Sequence, residues 1–161
     1  MLRHSKILCV SAIALYCSLV AFGNISDYYA NFPAVVRALS MQELFADSTI
    51  GYRAVTNPFV HHLAFILVIG AESVTAILCI LGAWRLFRAR KASAPVFNQA
   101  KNCAIAGLSC GFLTWQVLFM SVGGEWFGLW MSVSLRGAIT AAFQIFMTIL
   151  GVLIYLAIND E

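Results

Sequence analysis

The chain has 161 residues, of which 61% are hydrophobic and 11% charged, with a mean hydropathy of +0.87. A soluble domain is nearer half apolar and a quarter charged, so too few charges are present to coat a water-facing surface. The net charge is +3, but the basic residues crowd one connection between apolar runs. With no RNA-binding aromatic or glycine-rich module beside them, they exclude nucleic acid and read as a topology signal.

A basic head, Arg3, His4 and Lys6, precedes an uncharged apolar run over 7–23. About 17 residues is near the lower limit for a span. A cleaved signal peptide ending at Ala21 and Gly23 is the alternative. Tyr28, Tyr29 and Phe32 follow at once as an interfacial belt would, which favours a retained helix.

The connection 24–58 carries aromatic and aliphatic residues throughout. Pro33 suits a helix start, and Val35, Val36, Leu39 and Leu44 recur at helical spacing, away from Arg37, Glu43 and Asp47. The pattern predicts a short amphipathic helix in the first outer loop. Asn57–Pro58 marks a turn.

A second span is expected over 59–84, interrupted only by Glu72. Its ridge of small residues, Ala71, Thr75, Cys79 and Ala83, would let another helix approach closely. The basic loop 85–101 holds Arg85, Arg88, Arg90, Lys91 and Lys101. A third span follows over 102–122 with Gly107 and Gly111, and a fourth over 137–158 with Gly137/Ala141 and Ala138/Ala142. The outer turn 123–136 joins them, with Gly123 and Gly124 permitting the reversal. The fold class is therefore an all-α membrane protein, a four-transmembrane-helix bundle forming one domain. Arg3, Lys6 and the basic loop outnumber Arg37, Arg53 and Arg136, which places both termini in the cytoplasm.

Glu72 is the sharpest residue. Counted from Val60 it lies about 18 Å along its helix, near the midplane of a core about 30 Å thick. A carboxyl there should face the bundle. It reads either as a proton or cation relay, or as a structural group hydrogen-bonded to Thr114, Gln144 or Thr148. No second ionisable group at depth accompanies it. Glu125 is expected to pair with Arg53 or Arg136. Trp126, Phe127 and Trp130 read as belt aromatics, or as a groove for a quinone or lipid tail.

His61 and His62 point about 100° apart on a helix and cannot clamp one metal. The five cysteines lie in apolar runs without C-x-x-C spacing, as packing residues rather than a disulfide framework. No metal site or resident cofactor is expected, and no catalytic triad, zinc motif or P-loop is present.

The residues Asn24, Asp27, Tyr28 and Asn31, then Arg53–Ala54, Glu72, Gly123–Gly124–Glu125–Trp126–Phe127, Trp130 and Ser132 resemble a bacterial family of predicted small integral membrane proteins, catalogued as a domain of unknown function. Departures stand at Met41–Gln42, Met131 and Leu135–Arg136–Gly137. The resemblance implies a four-helix protein of the bacterial inner membrane and no activity. Membrane lipids, other membrane-protein subunits or a second copy are the expected partners. Two functions are expected to compete. One is a non-enzymatic accessory or scaffold subunit. The other is a proton- or solute-conducting protein working through Glu72.

Overall fold

The computed structural model describes residues 1–161. Helix accounts for 81% of the chain and there is no strand. Four helical stretches are long and apolar enough to cross a membrane. The first is α1 (Leu2–Ser26) and the second α3 (Pro58–Ala89). The third is continuous from Ala94 to Trp126 and comprises α4 (Ala94–Ala100), α5 (Asn102–Leu113) and a π-helix (Thr114–Trp126). The fourth is α6 (Arg136–Ala157).

The spans exceed the apolar runs because flanking polar residues continue the same hydrogen-bond ladder. The sequence 85–101 is therefore mostly helix, broken around Arg90–Ser93 and by the single turn residue Lys101. Pro95 falls in the first turn of α4, where its missing N–H has no bond to lose. At α3, Asn57 caps the helix by accepting from Phe59 N at 2.9 Å, and Pro58 occupies the first turn.

Neighbouring spans pack in the order α1, α3, α5, α6, and α6 returns to touch α1. The ridge on α3 meets the third span of the same chain. A Cβ added to Gly107 would stand 2.8 Å from Cys79 N, and one on Gly111 would stand 2.9 Å from Thr75 Cγ2. Gly82 sits equally close to Ala104. The small residues thus let α3 and α5 approach to backbone contact, and Thr75 and Cys79 are fully buried. Leu8, Leu15, Leu19, Phe22, Ile77, Ile80, Trp84 and Ile154 remain exposed on the bundle's outside. That inversion suits lipid, not water.

The amphipathic helix is present as α2 (Tyr28–Leu39), earlier than the proline suggests. It starts directly after α1, with Asp27 as the joint, and holds Pro33 inside. Its chain returns to α3 through Val55 N donating to Leu39 O at 2.8 Å. Beyond it, Met41, Phe127, Leu129 and Leu135 form a second small core over the loop end of the bundle.

The outer turn also begins later than the glycines imply. Gly123 to Trp126 are the last residues of the π-helix, and Phe127 N bonds to Val122 O at 3.0 Å, five residues back. The reversal falls on Gly128, with a φ of 66°, a left-handed conformation that glycine adopts without penalty.

Candidate functional site

The buried polar centre joins α1 to α3. Glu72 is 1% exposed, and Asn24 Nδ2 donates to its Oε2 at 2.8 Å. Its other carboxyl oxygen accepts no hydrogen bond from the protein. Asn24 reaches it because α1 stays helical to Ser26, which keeps Asn24 on the face that also buries Val10 and Cys17. These three residues step by seven along α1, as Glu72, Cys79 and Leu86 do along α3. An antiparallel register set by Asn24 and Glu72 carries Cys17 to the level of Cys79.

The side chains expected from other helices make no hydrogen bond to Glu72. Thr114 Oγ1 donates to Cys110 O at 2.8 Å, and Thr148 Oγ1 to Gln144 O at 2.8 Å. Thr148 and Gln144 are exposed on α6, so they do not converge on Glu72. The depth of Glu72 changes as well. It lies about 20 Å along α3 from Arg85 and about 25 Å from Ala89. In a core about 30 Å thick, that is the half nearer the loop end. Val60 is a poor reference because α3 is about 48 Å long at 1.5 Å per residue, and its first turns rise beside α2.

One layer outward, Tyr28 Oη bonds to His62 Nδ1 at 2.8 Å, and Phe32 stacks on the same imidazole with ring centroids 4.1 Å apart. His61 turns away, its Nε2 bonded to Val55 O at 2.7 Å. Asn31 Nδ2 donates to Asp27 O at 3.2 Å. Asn24, Tyr28 and Asn31 thus hold three different things: the acid of α3, a histidine of α3, and the joint between α1 and α2. Asp27 itself is exposed.

At the loop end Glu125 is exposed and makes no ion pair. Arg53 instead donates to Trp126 O at 3.2 Å and lies 4.6 Å from the centroid of its ring. Arg136 is exposed at the start of α6. Trp130 is exposed, with its ring edge-on to Phe45, whereas Phe127 is buried. An apolar cavity of about 210 Å³ does lie near this turn, lined by Leu39, Leu67, Phe119, Phe127 and Leu129 among others. Neither Trp126 nor Trp130 lines it.

The acid that sequence reasoning passed over is Glu43. Its Oε2 accepts from Ser132 Oγ at 2.8 Å and Ser134 N at 3.0 Å, and its Oε1 from Ser134 Oγ at 2.6 Å. The Ser134 bonds, with that of Ser132, pull its pKa from 4.5 to about 2. The latch ties the first loop to the segment entering α6, where a negative charge also favours the helix dipole.

The opposite end carries Asp160. Lys6 Nζ and Lys101 Nζ each stand 2.7 Å from its Oδ2, and Arg3 Nε lies 4.0 Å from Oδ1. Burial pushes the Asp160 carboxyl up, but the bonds from Lys101 and Lys6 hold it below its usual value. No group of histidine, cysteine and acidic residues has the geometry to hold a metal.

A family model described as predicted small integral membrane protein (DUF2165) matches residues 2–159. The chain belongs to this family. No curated protein and no solved structure matches the chain. Membership in DUF2165 agrees with the four apolar spans and the lipid-facing exterior, and it makes the chain an integral membrane protein.

Proposed function

We propose that this DUF2165 member is a non-enzymatic accessory or scaffold subunit of a bacterial inner-membrane assembly, acting by packing in the plane of the bilayer. Both termini face the cytoplasm in this reading, because the end that carries them also carries most of the lysines and arginines. The observation behind it is Gln144. This amide sits near the middle of α6, exposed on the outside of the bundle, and its side chain makes no hydrogen bond within the chain. Hydrocarbon cannot satisfy it, and helix–helix interfaces in membranes are where such groups find partners. Blue-native electrophoresis after gentle extraction tests the proposal. The expected result is a species larger than a homodimer. Migration only as a monomer or homodimer sinks it.

A second reading is favoured by the carboxyl oxygen of Glu72 that lacks a protein donor. Glu72 would then carry a proton or small solute across the bundle, since ionisable groups at depth mark such paths. Glu72→Gln should abolish flux in proteoliposomes while leaving the fold intact. A variant that fails to fold, with no flux in the parent, removes this reading.

A further inference from the structure

The basic residues at the end of the bundle that carries both termini divide into two groups. Lys6 and Lys101 are taken up by Asp160. Arg3 donates to Arg90 O and Ala92 O, and Arg90 donates to Phe87 O. Arg85 and Arg88 are exposed and make no ion pair within the chain. Both border an open cleft of about 590 Å³ between the last turns of α3 and helix α4. Ala89, Ala92 and Ala100 line it with methyl groups, Gln99 adds one amide, and no acid lines it. The cleft ends a longer pattern. Trp84, Arg85 and Arg88 continue a face of α3 that holds Val74, Ile77 and Leu81, at spacings of three and four residues. All six are exposed. From Arg85 to Val74 is about 16 Å along the helix, the depth of one leaflet in a core about 30 Å thick. One face therefore runs from aliphatic through indole to guanidinium as it leaves the membrane.

We propose that this cleft binds an anionic phospholipid of the leaflet on the side of the chain ends, its phosphate between Arg85 and Arg88 and an acyl chain along Leu81, Ile77 and Val74. Side chains three residues apart on a helix are neighbours, about 5–6 Å between Cβ atoms, so two guanidinium forks can converge on one phosphate. Basic pockets between transmembrane helices at headgroup level hold such lipids. The lack of an acid in the cleft decides the headgroup. An ammonium headgroup would set its cation against two guanidiniums with nothing to balance it. A hydroxylic headgroup leaves the negative charge to the arginines and can bond the Gln99 amide. The apolar face decides the source. A soluble anion would match the arginines alone, whereas one lipid molecule matches the guanidiniums, the indole and the aliphatic track together.

The test places the full-length protein in phosphatidylcholine vesicles that contain a small fraction of phosphatidylglycerol with brominated chains, which quench tryptophan on contact. Trp84 is the reporter, being 58% exposed and lining the cleft. The Trp84→Phe variant gives the background from the other tryptophans. Brominated phosphatidylglycerol should quench Trp84 in preference to the same fraction of brominated phosphatidylcholine. A selectivity of about thirtyfold is expected, the ratio given by two arginines at roughly 1 kcal/mol each. Combining Arg85→Gln with Arg88→Gln should bring it close to one. Lys91→Gln removes an exposed charge that does not line the cleft and should leave it unchanged. Gln99→Glu keeps both arginines and sets a carboxylate opposite them from an exposed position, so it should lower the selectivity even if the arginine pair is needed for folding. Equal quenching by the two lipids in the parent overturns the site. So does an equal loss in Lys91→Gln and the arginine variant, which would mean diffuse charge, or full selectivity in Gln99→Glu. Displacement of the brominated lipid by millimolar inorganic phosphate, but not by chloride of equal ionic strength, overturns it in favour of a soluble anion.

Discussion

Asn24 and Glu72 show how a costly residue is used. A carboxyl at membrane depth must be bonded or neutral, and here one amide from the neighbouring helix does the bonding. Asn24→Leu strands the acid and is expected to cost about 1–3 kcal/mol. Pairing it with Glu72→Leu removes both polar partners, so the double variant should lose much less than the sum of the singles. Unfolding in bicelles measures all three, and strictly additive losses would show that the bond contributes nothing. Glu43 makes the corresponding pH prediction. Its pKa is depressed in the fold, so its stabilisation is fully present above the ordinary 4.5 and is lost as pH falls toward about 2. Hydrogen exchange at 132–135 should rise over that window in the parent. Glu43→Gln should raise it at neutral pH and abolish the acid dependence. Neither pairing was legible in the sequence. Gly23–Asn24 looks like the end of an apolar run, so Asn24 falls in the loop. Glu43 looks like one of several solvated charges, because no local pattern links it to serines some ninety residues away.

At the scale of elements, the spans were legible because each is a long apolar run, and their boundaries were not, because polar residues extend them without changing the ladder. The π-helix had no signature to read. Its bonds reach five residues back instead of four, and Gly123–Gly124 within it looks like a turn. The small-residue ridge of α3 was visible as a ridge, but its partner was not. It proves to be α5, at Gly107 and Gly111. Gly107→Ala would press a methyl against Cys79 N at 2.8 Å, and backbone cannot yield as a side-chain tip can. Overpacking of this kind costs about 1–3 kcal/mol. Gly70→Ala is the control, since its Cβ enters open space within α3 and alanine is the better helix former. The first should lower the unfolding midpoint and the second should not. Equal effects would mean that helix propensity, not the close approach, governs both positions.

Across the whole molecule, three carboxylates join segments distant in sequence: Glu43 at the loop end, Glu72 inside, and Asp160 where the termini meet. Asp160 ties the tail to α1 through Lys6 and to the third span through Lys101. Asn98 braces it, donating to Asp160 O and accepting from Asp160 N, both at 3.0 Å. Both ammonium groups also donate to Ile158 O, at 2.6 and 2.7 Å, so Asp160→Asn would leave them hydrogen-bonded but without a compensating charge. Both lysines are 2% exposed, and breaking a buried pair by removing one partner costs about 3–5 kcal/mol. The expected outcome at neutral pH is a loss of that order, with faster proteolysis of the tail. The same linkage makes acid act on the parent as the substitution does. The Asp160 carboxyl is held below its usual value, so the clasp is complete above the ordinary carboxylate range and fails as pH falls below it. Asp160→Asn should lose that part of the acid dependence. Adding Lys6→Leu should restore part of the stability, because it removes one of the two stranded charges. If that double variant is no more stable than Asp160→Asn, stranded charge is not what the substitution costs, and the clasp does not work through charge.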